Sequence, residues 1–362
     1  MRVVLVAGVN PSSPRASGIR SHVVGLANSL HRLGHDVSVI GAGRVAADGL
    51  SYTFLSVCPD GQPSSGRFWR SLVFHGSTLP LEDAIVHAHR PDDLAAFLLR
   101  DGVRARILTI HGMSYRGILQ RHGWMAATGF RMLERTGIRS ADRLVVLDPA
   151  TRQELTDTYP GVASRVTGVP AGVDLDMFRM ISRSEARQAL GLSDVSTVAF
   201  VGRLAPEKNL PLVLNAVAAS GVDQLVVAGD GPLRGLIESV SLPRLKVHFL
   251  GSVEYSRVPL VLNAADCLAL PSDREAMPSV SLESLACGTP VVATRVGGLV
   301  GVIREGVNGF FTAASTPEFA HGLIKAVEGS NRMRQACRAS VEAFGWDRVG
   351  TQMVQVYEEA TS

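Results

Sequence analysis

The stretch "SDREAMPSVSLESLACGTPVVAT", residues 272–294, carries two acids, Glu275 and Glu283, with Pro278 between them. Proline is tolerated in the first turn of a helix and disfavoured further in. The spacing therefore predicts a helix that starts at about Pro278, runs through "SVSLESLA" and stops at Gly288, with Pro290 beyond. The apolar run "PVVAT" then reads as a strand. Glu275 falls in the loop before the helix and Glu283 lies on it, roughly 6 Å of axial rise past Ser279. The first amides, those of Ser279 and Val280, lack helical carbonyl partners and carry the positive end of the dipole. The order is acid, anion site, acid. A nucleotide sugar has the matching order of sugar hydroxyls, diphosphate and ribose diol, and carboxylates accept well from paired hydroxyls. A solvated loop acid followed by a helix glutamate favoured by the dipole fits the same residues.

The same alternation of strand and helix extends in both directions. "RVVLVAG", "DVSVIG", "AIVHAH", "RILTIHG" and "RLVVLD" read as strands in the first half. "TVAFVGR", "DQLVVAGD", "KVHFLG", "DCLALPS" and "PVVAT" do so in the second. Their hydrophobicity is continuous rather than alternating, as in parallel sheets covered on both faces. Amphipathic segments such as "SHVVGLANSLHRLG" and "NLPLVLNAVAASG" lie between them. Two successive series of this kind predict an α/β chain of two doubly wound, Rossmann-like domains, residues 1–169 and 170–344. The break falls near "GVPAGVDLDMF", where Gly168, Pro170 and Gly172 interrupt the pattern. The closing segment, 345–362, reads as one more amphipathic helix.

A length of 362 residues suits two medium domains. Hydrophobic residues make up 46% and charged residues 19%, enough for sizeable cores. Cys58, Cys267, Cys287 and Cys337 show no paired spacing. That argues against a disulfide framework or a zinc site and for a reducing compartment. The opening "MRVVLVAGVNPSSPR" is read as a first strand, not a signal peptide, and no apolar run is long enough to span a bilayer. The expected location is cytoplasmic. A formal charge of +3 does not demand nucleic acid but permits an anionic ligand.

A second motif falls in the same half. "FVGRLAPEKN" puts Arg203 and Lys208 between a strand and a helix. Ligands of open α/β sheets bind at the carboxyl ends of strands. Two cations there suit a diphosphate, arginine as a fork and lysine as a point charge. A lysine paired with Glu207 or another nearby acid is the plainer alternative.

These residues resemble the retaining glycosyltransferases of family 4, which have the GT-B fold. "GRLAPEKN" is similar to the family's G-R-L-x-x-E-K-G, and "EAMPSVSLE" to its E-x₇-E motif, followed by A-x-G-x-P-V-V-A-T. "PAGVDLDMF" and "ADCLALPS" match neighbouring segments. The resemblance runs through most of residues 1–360 and is most specific between 198 and 311. It implies two domains with a cleft between them, the acceptor on the first and the nucleotide sugar on the second, with the final helix packing back on the first. It implies that Arg203 and Lys208 hold the diphosphate and that Glu283 holds the ribose. Glu275, with the backbone of Ala276, Met277 and Pro278, would hold the donor sugar, and Ser279 and Val280 the phosphates. The base would lie near residues 251–256, at Val253. Gly18 would let the chain approach the β-phosphate, and His111 would touch the donor sugar near the reaction centre. Three positions depart from the pattern: Ser17, Ala276 and Asn209 stand where the family often has glycine.

The implied activity is transfer of a sugar, with retention, from a UDP-sugar, or next a GDP-sugar, to a hydroxyl of a small-molecule or lipid-linked acceptor. No cofactor, metal or nucleic acid is expected. A nucleotide-sugar epimerase or hydrolase, or a catalytically silent binding subunit, is the alternative. The stretch from Arg116 to Arg139 also holds Arg121, Arg131 and Arg135 with few acids. It reads as a solvated helix face, or as a peripheral contact with the inner face of a membrane, since some family members are peripheral membrane enzymes. "GAGRVA", residues 41–46, follows a second strand and reads as a loop turn, not a dinucleotide site. His87, His89 and His111 gather at strand ends, but His87 and His89 are assigned to opposite faces and are not expected to share an ion.

Overall fold

The computed structural model describes residues 1–362 apart from 14–16, 46–48, 60, 62, 77, 113–114 and 276, and apart from the side chains of 115–127. The chain divides into two compact units. Met1–Ser13, Ser17–Ala171 and Trp346–Ser362 form one, and Gly172–Gly345 the other.

The first unit is built on seven strands: β1 (Arg2–Val6), β2 (Asp36–Ala42), β3 (Thr53–Cys58), β4 (Ile85–Ala88), β5 (Ala105–Ile110), β6 (Arg143–Val146) and β7 (Val166–Gly168). They pair in the order β3-β2-β1-β4-β5-β6-β7, all parallel. Successive residues of a strand face opposite sides. Val4 and Val6 accordingly join one core with Phe68, Leu72, Leu108 and Leu144. Val3 and Leu5 join another with Val23, Leu26, Leu30 and Ile107. Both faces are covered, which is why the central strands are apolar throughout.

The second unit has six: β8 (Thr197–Val201), β9 (Gln224–Ala228), β10 (Lys246–Gly251), β11 (Cys267–Leu270), β12 (Val291–Thr294) and β13 (Gly309–Thr312). The order is β10-β9-β8-β11-β12-β13, again all parallel. Val198, Phe200, Leu225, Val227 and Ala269 pack under the helices Leu210–Ser220 and Thr316–Ser340 through Leu214, Val217, Phe319 and Leu323. β3, β7 and β13 were not among the strands expected from the sequence. All three lie at sheet edges, where one side of the ladder is open and burial falls: β3 and β13 are only partly buried and β7 spans three residues.

The helix Trp346–Thr361 belongs to the first unit, against the helix Gly18–Arg32. Small residues let the two approach. The Trp346 indole lies where a Cβ on Gly25 would fall, and Ser29 Oγ lies where a Cβ on Gly350 would fall. Ser29 Oγ also donates to the Trp346 carbonyl at 2.7 Å. Trp346, Val349, Met353 and Tyr357 thereby complete the second core of the unit. Gly25→Ala should destabilise the first unit by about 1–3 kcal/mol, the range for overpacking, because a buried indole must move. Urea unfolding followed by circular dichroism measures this. Gly66→Ala, where a Cβ meets nothing within 4 Å, is the control. Equal midpoints for the two variants would show that the helix pair does not depend on that contact.

Candidate functional site

In the second unit, the strand order runs from β8 to β10 on one side and from β11 to β13 on the other. The reversal falls between β8 and β11. The segments leaving these strands diverge there, which opens a crevice at their carboxyl ends.

The segments after β8, β9 and β10 are stitched together by the backbone. Leu204 N–H donates to Asp230 O at 3.0 Å, and Gly229 N–H to Gly251 O at 2.7 Å. Gly229 has φ +151°, and a Cβ on it would overlap the Gly202 carbonyl. Past this junction Arg203 is exposed, with no ion pair or hydrogen bond from its side chain among the described residues. A short 3-10 turn, Pro206–Lys208, follows. Asn209 then takes φ 49° and ψ 47° and turns the chain into the helix Leu210–Ser220. This left-handed position is one that glycine or asparagine fills at least cost. It explains why asparagine can stand where the resemblance expects glycine.

β11 leads into the acidic segment. The Glu275 carboxylate is paired with Lys208 Nζ. The same oxygen, Oε1, accepts from Ser272 Oγ at 2.8 Å. The Ser272 carbonyl in turn accepts from Thr294 Oγ1 at 2.5 Å. Asp273 N–H donates to Glu207 O at 3.0 Å, a second tie between the β8 and β11 sides. Lys208 therefore does meet an acid, but the acid is Glu275 and not the adjacent Glu207.

The helix expected from Pro278 onward spans Ser279–Ala286, and Gly288 follows with φ +76°. Pro278 is buried, and its carbonyl accepts from Ser281 N–H at 3.0 Å and Ser281 Oγ at 2.7 Å. Met277, Ser279 and Val280 are half-buried around it. Ala276 lies outside the described residues. Glu283 is 5% exposed, and its Oε1 accepts from the Tyr255 hydroxyl at 2.9 Å. Burial pushes its pKa up to about 7, against the opposing hydrogen bonds from Tyr255 and Ser279. Tyr255 opens a short 3-10 turn after β10, two residues beyond the half-buried Val253. The sequence located that segment but not the Tyr255–Glu283 bond. Nothing in the spacing of residues 28 apart announces it.

In the first unit the order reverses between β1 and β4. Gly18 opens the helix after β1, and a Cβ on it would meet nothing within 4 Å. His111 follows β5, and His89 Nδ1 and His111 Nε2 are 3.1 Å apart. The expectation for His87 and His89 is corrected here. Residues two apart in a strand share a face, and the two rings stack at 4.6 Å. His87 is held by the Tyr357 hydroxyl at 2.7 Å and Thr109 Oγ1 at 2.7 Å. His22, which the sequence did not single out, contacts His111 and His89 with ring centroids at 4.9 and 5.3 Å. Burial lowers the pKa of all four, His111 to about 4 and His87 to about 3.

A groove of ≈ 710 Å³ lies along the helix Tyr115–Ser140. Arg131, Arg135, Arg139 and Arg165 line it. The side chains of Arg116 and Arg121 lie outside the described residues.

The Glu283 environment has a consequence for stability. Its folded-state pKa, about 7, exceeds that of a free carboxyl, about 4.3. The folded chain therefore holds the proton more tightly than the unfolded one. Stability from this group is full below the unfolded pKa and is lost as pH rises through 7. Between pH 5 and 8 the loss should be roughly 2–3 kcal/mol in the second unit. Thermal melts of the wild type and Glu283→Gln across that range test it: the histidines of lowered pKa titrate with the opposite sign in both proteins, so the wild type should lose stability relative to the variant as pH rises. A difference between the two proteins that does not change with pH would assign no such effect to Glu283.

Residues 16–177 match the family "Glycosyltransferase Family 4", and residues 182–343 match "Glycosyl transferases group 1". A D-inositol 3-phosphate glycosyltransferase of Mycolicibacterium paratuberculosis is 35% identical over 241 residues, 63% of this chain and 55% of that protein. The chain spans about half the length of the curated relatives it matches. Sucrose-phosphate synthase from Thermosynechococcus elongatus superposes with a TM-score of 0.83 at 21% identity, covering 99% of this chain and 98% of that one. Anabaena Alr3699/HepE, solved in complex with UDP and glucose, does so at 0.77 and 19%, covering 99% of each. These two likenesses are of fold. The two family matches follow one another along the chain and meet at the boundary between its two Rossmann-like units, and the chain belongs to the family 4 glycosyltransferases.

Proposed function

We propose that the chain is a retaining glycosyltransferase that moves a sugar from a nucleoside diphosphate donor to a hydroxyl of a small-molecule or lipid-linked acceptor. UDP-sugars are the first donors to test and GDP-sugars the next. The observation that carries this reading is the Lys208–Glu275 pair across the switch point between β8 and β11. A cation and an acid meet there at strand ends, with Arg203 exposed beside them. A diphosphate would take Arg203 and Lys208, and the amides of Ser279 and Val280 would face it. Release of Lys208 from its pair frees Glu275 to accept from sugar hydroxyls. Glu283 and Tyr255 would hold the ribose, and Val253 would lie against the base.

Departure of the nucleoside diphosphate is the step that needs help. The bond from the anomeric carbon to the phosphate oxygen breaks, and negative charge grows on that oxygen. Arg203, Lys208 and the chain at Gly18 would stabilise it electrostatically. The acceptor oxygen attacks from the same face, and its proton passes to the leaving phosphate. His111 would contact the donor sugar. Named relatives act on D-inositol 3-phosphate, so a phosphorylated cyclitol heads the acceptor panel. The Arg131, Arg135, Arg139 and Arg165 groove is where an anionic acceptor or lipid headgroup would lie. No helix among the described residues is long and apolar enough to cross a membrane.

The direct test is turnover of UDP- and GDP-sugars with and without that panel. Product formed only with acceptor supports transfer, whereas donor breakdown in water alone would make the chain a hydrolase. The two acids should fail differently. The ribose does not change as the glycosidic bond breaks, so Glu283→Ala should raise donor KM about ten- to a hundredfold with kcat nearly kept, the loss of one charge-assisted hydrogen bond at ~1.5–3 kcal/mol. The donor sugar gains positive character, so Glu275→Gln should lower kcat more than donor affinity. Weakened binding of UDP alone by Glu275→Gln, with normal binding by Glu283→Ala, would exchange the two roles.

A further inference from the structure

The first unit gathers three imidazoles where its strand order reverses. His22 comes from the helix after β1, His89 follows β4, and His111 follows β5. One ring nitrogen from each lies within 4.8 Å of the other two. His89 Nδ1 and His111 Nε2, at 3.1 Å, already stand near the separation of about 3.4 Å that two imidazoles take on one tetrahedral ion.

The hydrogen bonding of the cluster is uneven. His22 and His89 are 5% and 1% exposed. Both nitrogens of His22 and Nε2 of His89 nevertheless have no hydrogen-bond partner among the described residues. Each ring offers one nitrogen to an ion, His89 through the Nδ1 that faces His111, so the observation that requires an explanation is the buried His22 ring with neither nitrogen satisfied, because such groups are normally satisfied. Burial alone does not impose this. His87, fully buried in the same cluster, has both nitrogens engaged by Tyr357 and Thr109. His87 stacks on one side of His89, and Trp346 stands 5.3 Å from His22. The His22 ring is thus held by packing, while His89 and His111 also share a hydrogen bond. His111 is only half-buried, which leaves a side from which an ion can enter.

We propose that His22, His89 and His111 form a binding site for one borderline transition-metal ion, with Zn²⁺ as the first candidate and water as a fourth ligand. Three imidazoles suit zinc, cobalt, nickel or copper, whereas magnesium and calcium require oxygen ligands. An ion there would occupy the ring assigned to the donor sugar, so occupancy and transfer would compete. That consequence rests on the proposed function, while binding of the ion does not.

The test is titration of the purified chain with Co²⁺, read by its visible absorption. One equivalent should develop the intense bands of a four-coordinate site, Zn²⁺ should abolish them, and Mg²⁺ in excess should not. His22→Ala and His111→Ala should each weaken Co²⁺ binding at least tenfold, and the exposed His321→Ala should leave it unchanged. If His22→Ala does not give the native circular dichroism, the half-buried His111→Ala decides. No bands at one equivalent, or equal affinity in the His111→Ala variant, overturns the site. Because the signal is spectroscopic and needs no donor, its failure is separate from failure of glycosyl transfer.

Discussion

A parallel sheet sends the carboxyl end of every strand to the same edge, and where the strand order reverses the connections depart to opposite faces. Both units of this chain obey that constraint, at β1/β4 and at β8/β11. The candidate donor-site residues and the histidine cluster follow from it. Arg203 and Lys208 leave one side of the β8/β11 reversal and Glu275 the other. Gly18 leaves β1, His89 leaves β4 and His111 leaves the neighbouring β5. Charge and ring chemistry gather at these points because the backbone there is open to ligand, while the faces of each sheet are consumed by packing.

Legibility of the fold tracked burial. Nine of the ten strands read from apolar runs are buried in the sheets, the partly buried edge strand β10 being the exception, and a run such as "RVVLVAG" fits a strand covered on both faces. The edge strands "TFLSVC", "VTG" and "GFFT" were not read, being short or only partly buried, whereas the edge strand β10 was read from "KVHFLG". The helix Ser279–Ala286 was legible to within a residue, since Pro278 and Gly288 punctuate it by backbone chemistry alone. Asn209 shows the opposite case. Its identity looked incidental until its left-handed conformation gave the reason.

The site was legible in its charged residues and not in their partners. Lys208 and Glu275 lie 67 residues apart, and only the pairing of β8 with β11 brings them together. Tyr255 reaches Glu283 for the same reason, through the adjacency of β10, β9 and β8 at the strand ends. His22 was invisible because it lies in a helix whose apolar face explains its position without a function. His87 and His89 were misplaced through the strand period itself. Two residues apart is one face, and the stacked rings follow directly.

The two acids of one motif are balanced in different ways. Glu283 is buried against a tyrosine hydroxyl, with no ion pair among the described residues, and its pKa rises. Glu275 meets Lys208 and Ser272 with both partners of the ion pair still partly accessible, at 21% and 12% side-chain exposure. In a mostly buried pair like this, desolvation of the two charges offsets much of their attraction, so the pair need not add to stability. In the proposed reading its value is exchange. A diphosphate entering the crevice would offer Lys208 a doubly anionic partner in place of a carboxylate, and the carboxylate would then be free for hydroxyl donors. Neither group is left as an uncompensated charge before the ligand arrives. A site made of a lone cation and a lone acid would repel part of an anionic ligand, whereas this one presents a neutral pair that, in the proposed reading, a nucleotide sugar would take apart in register.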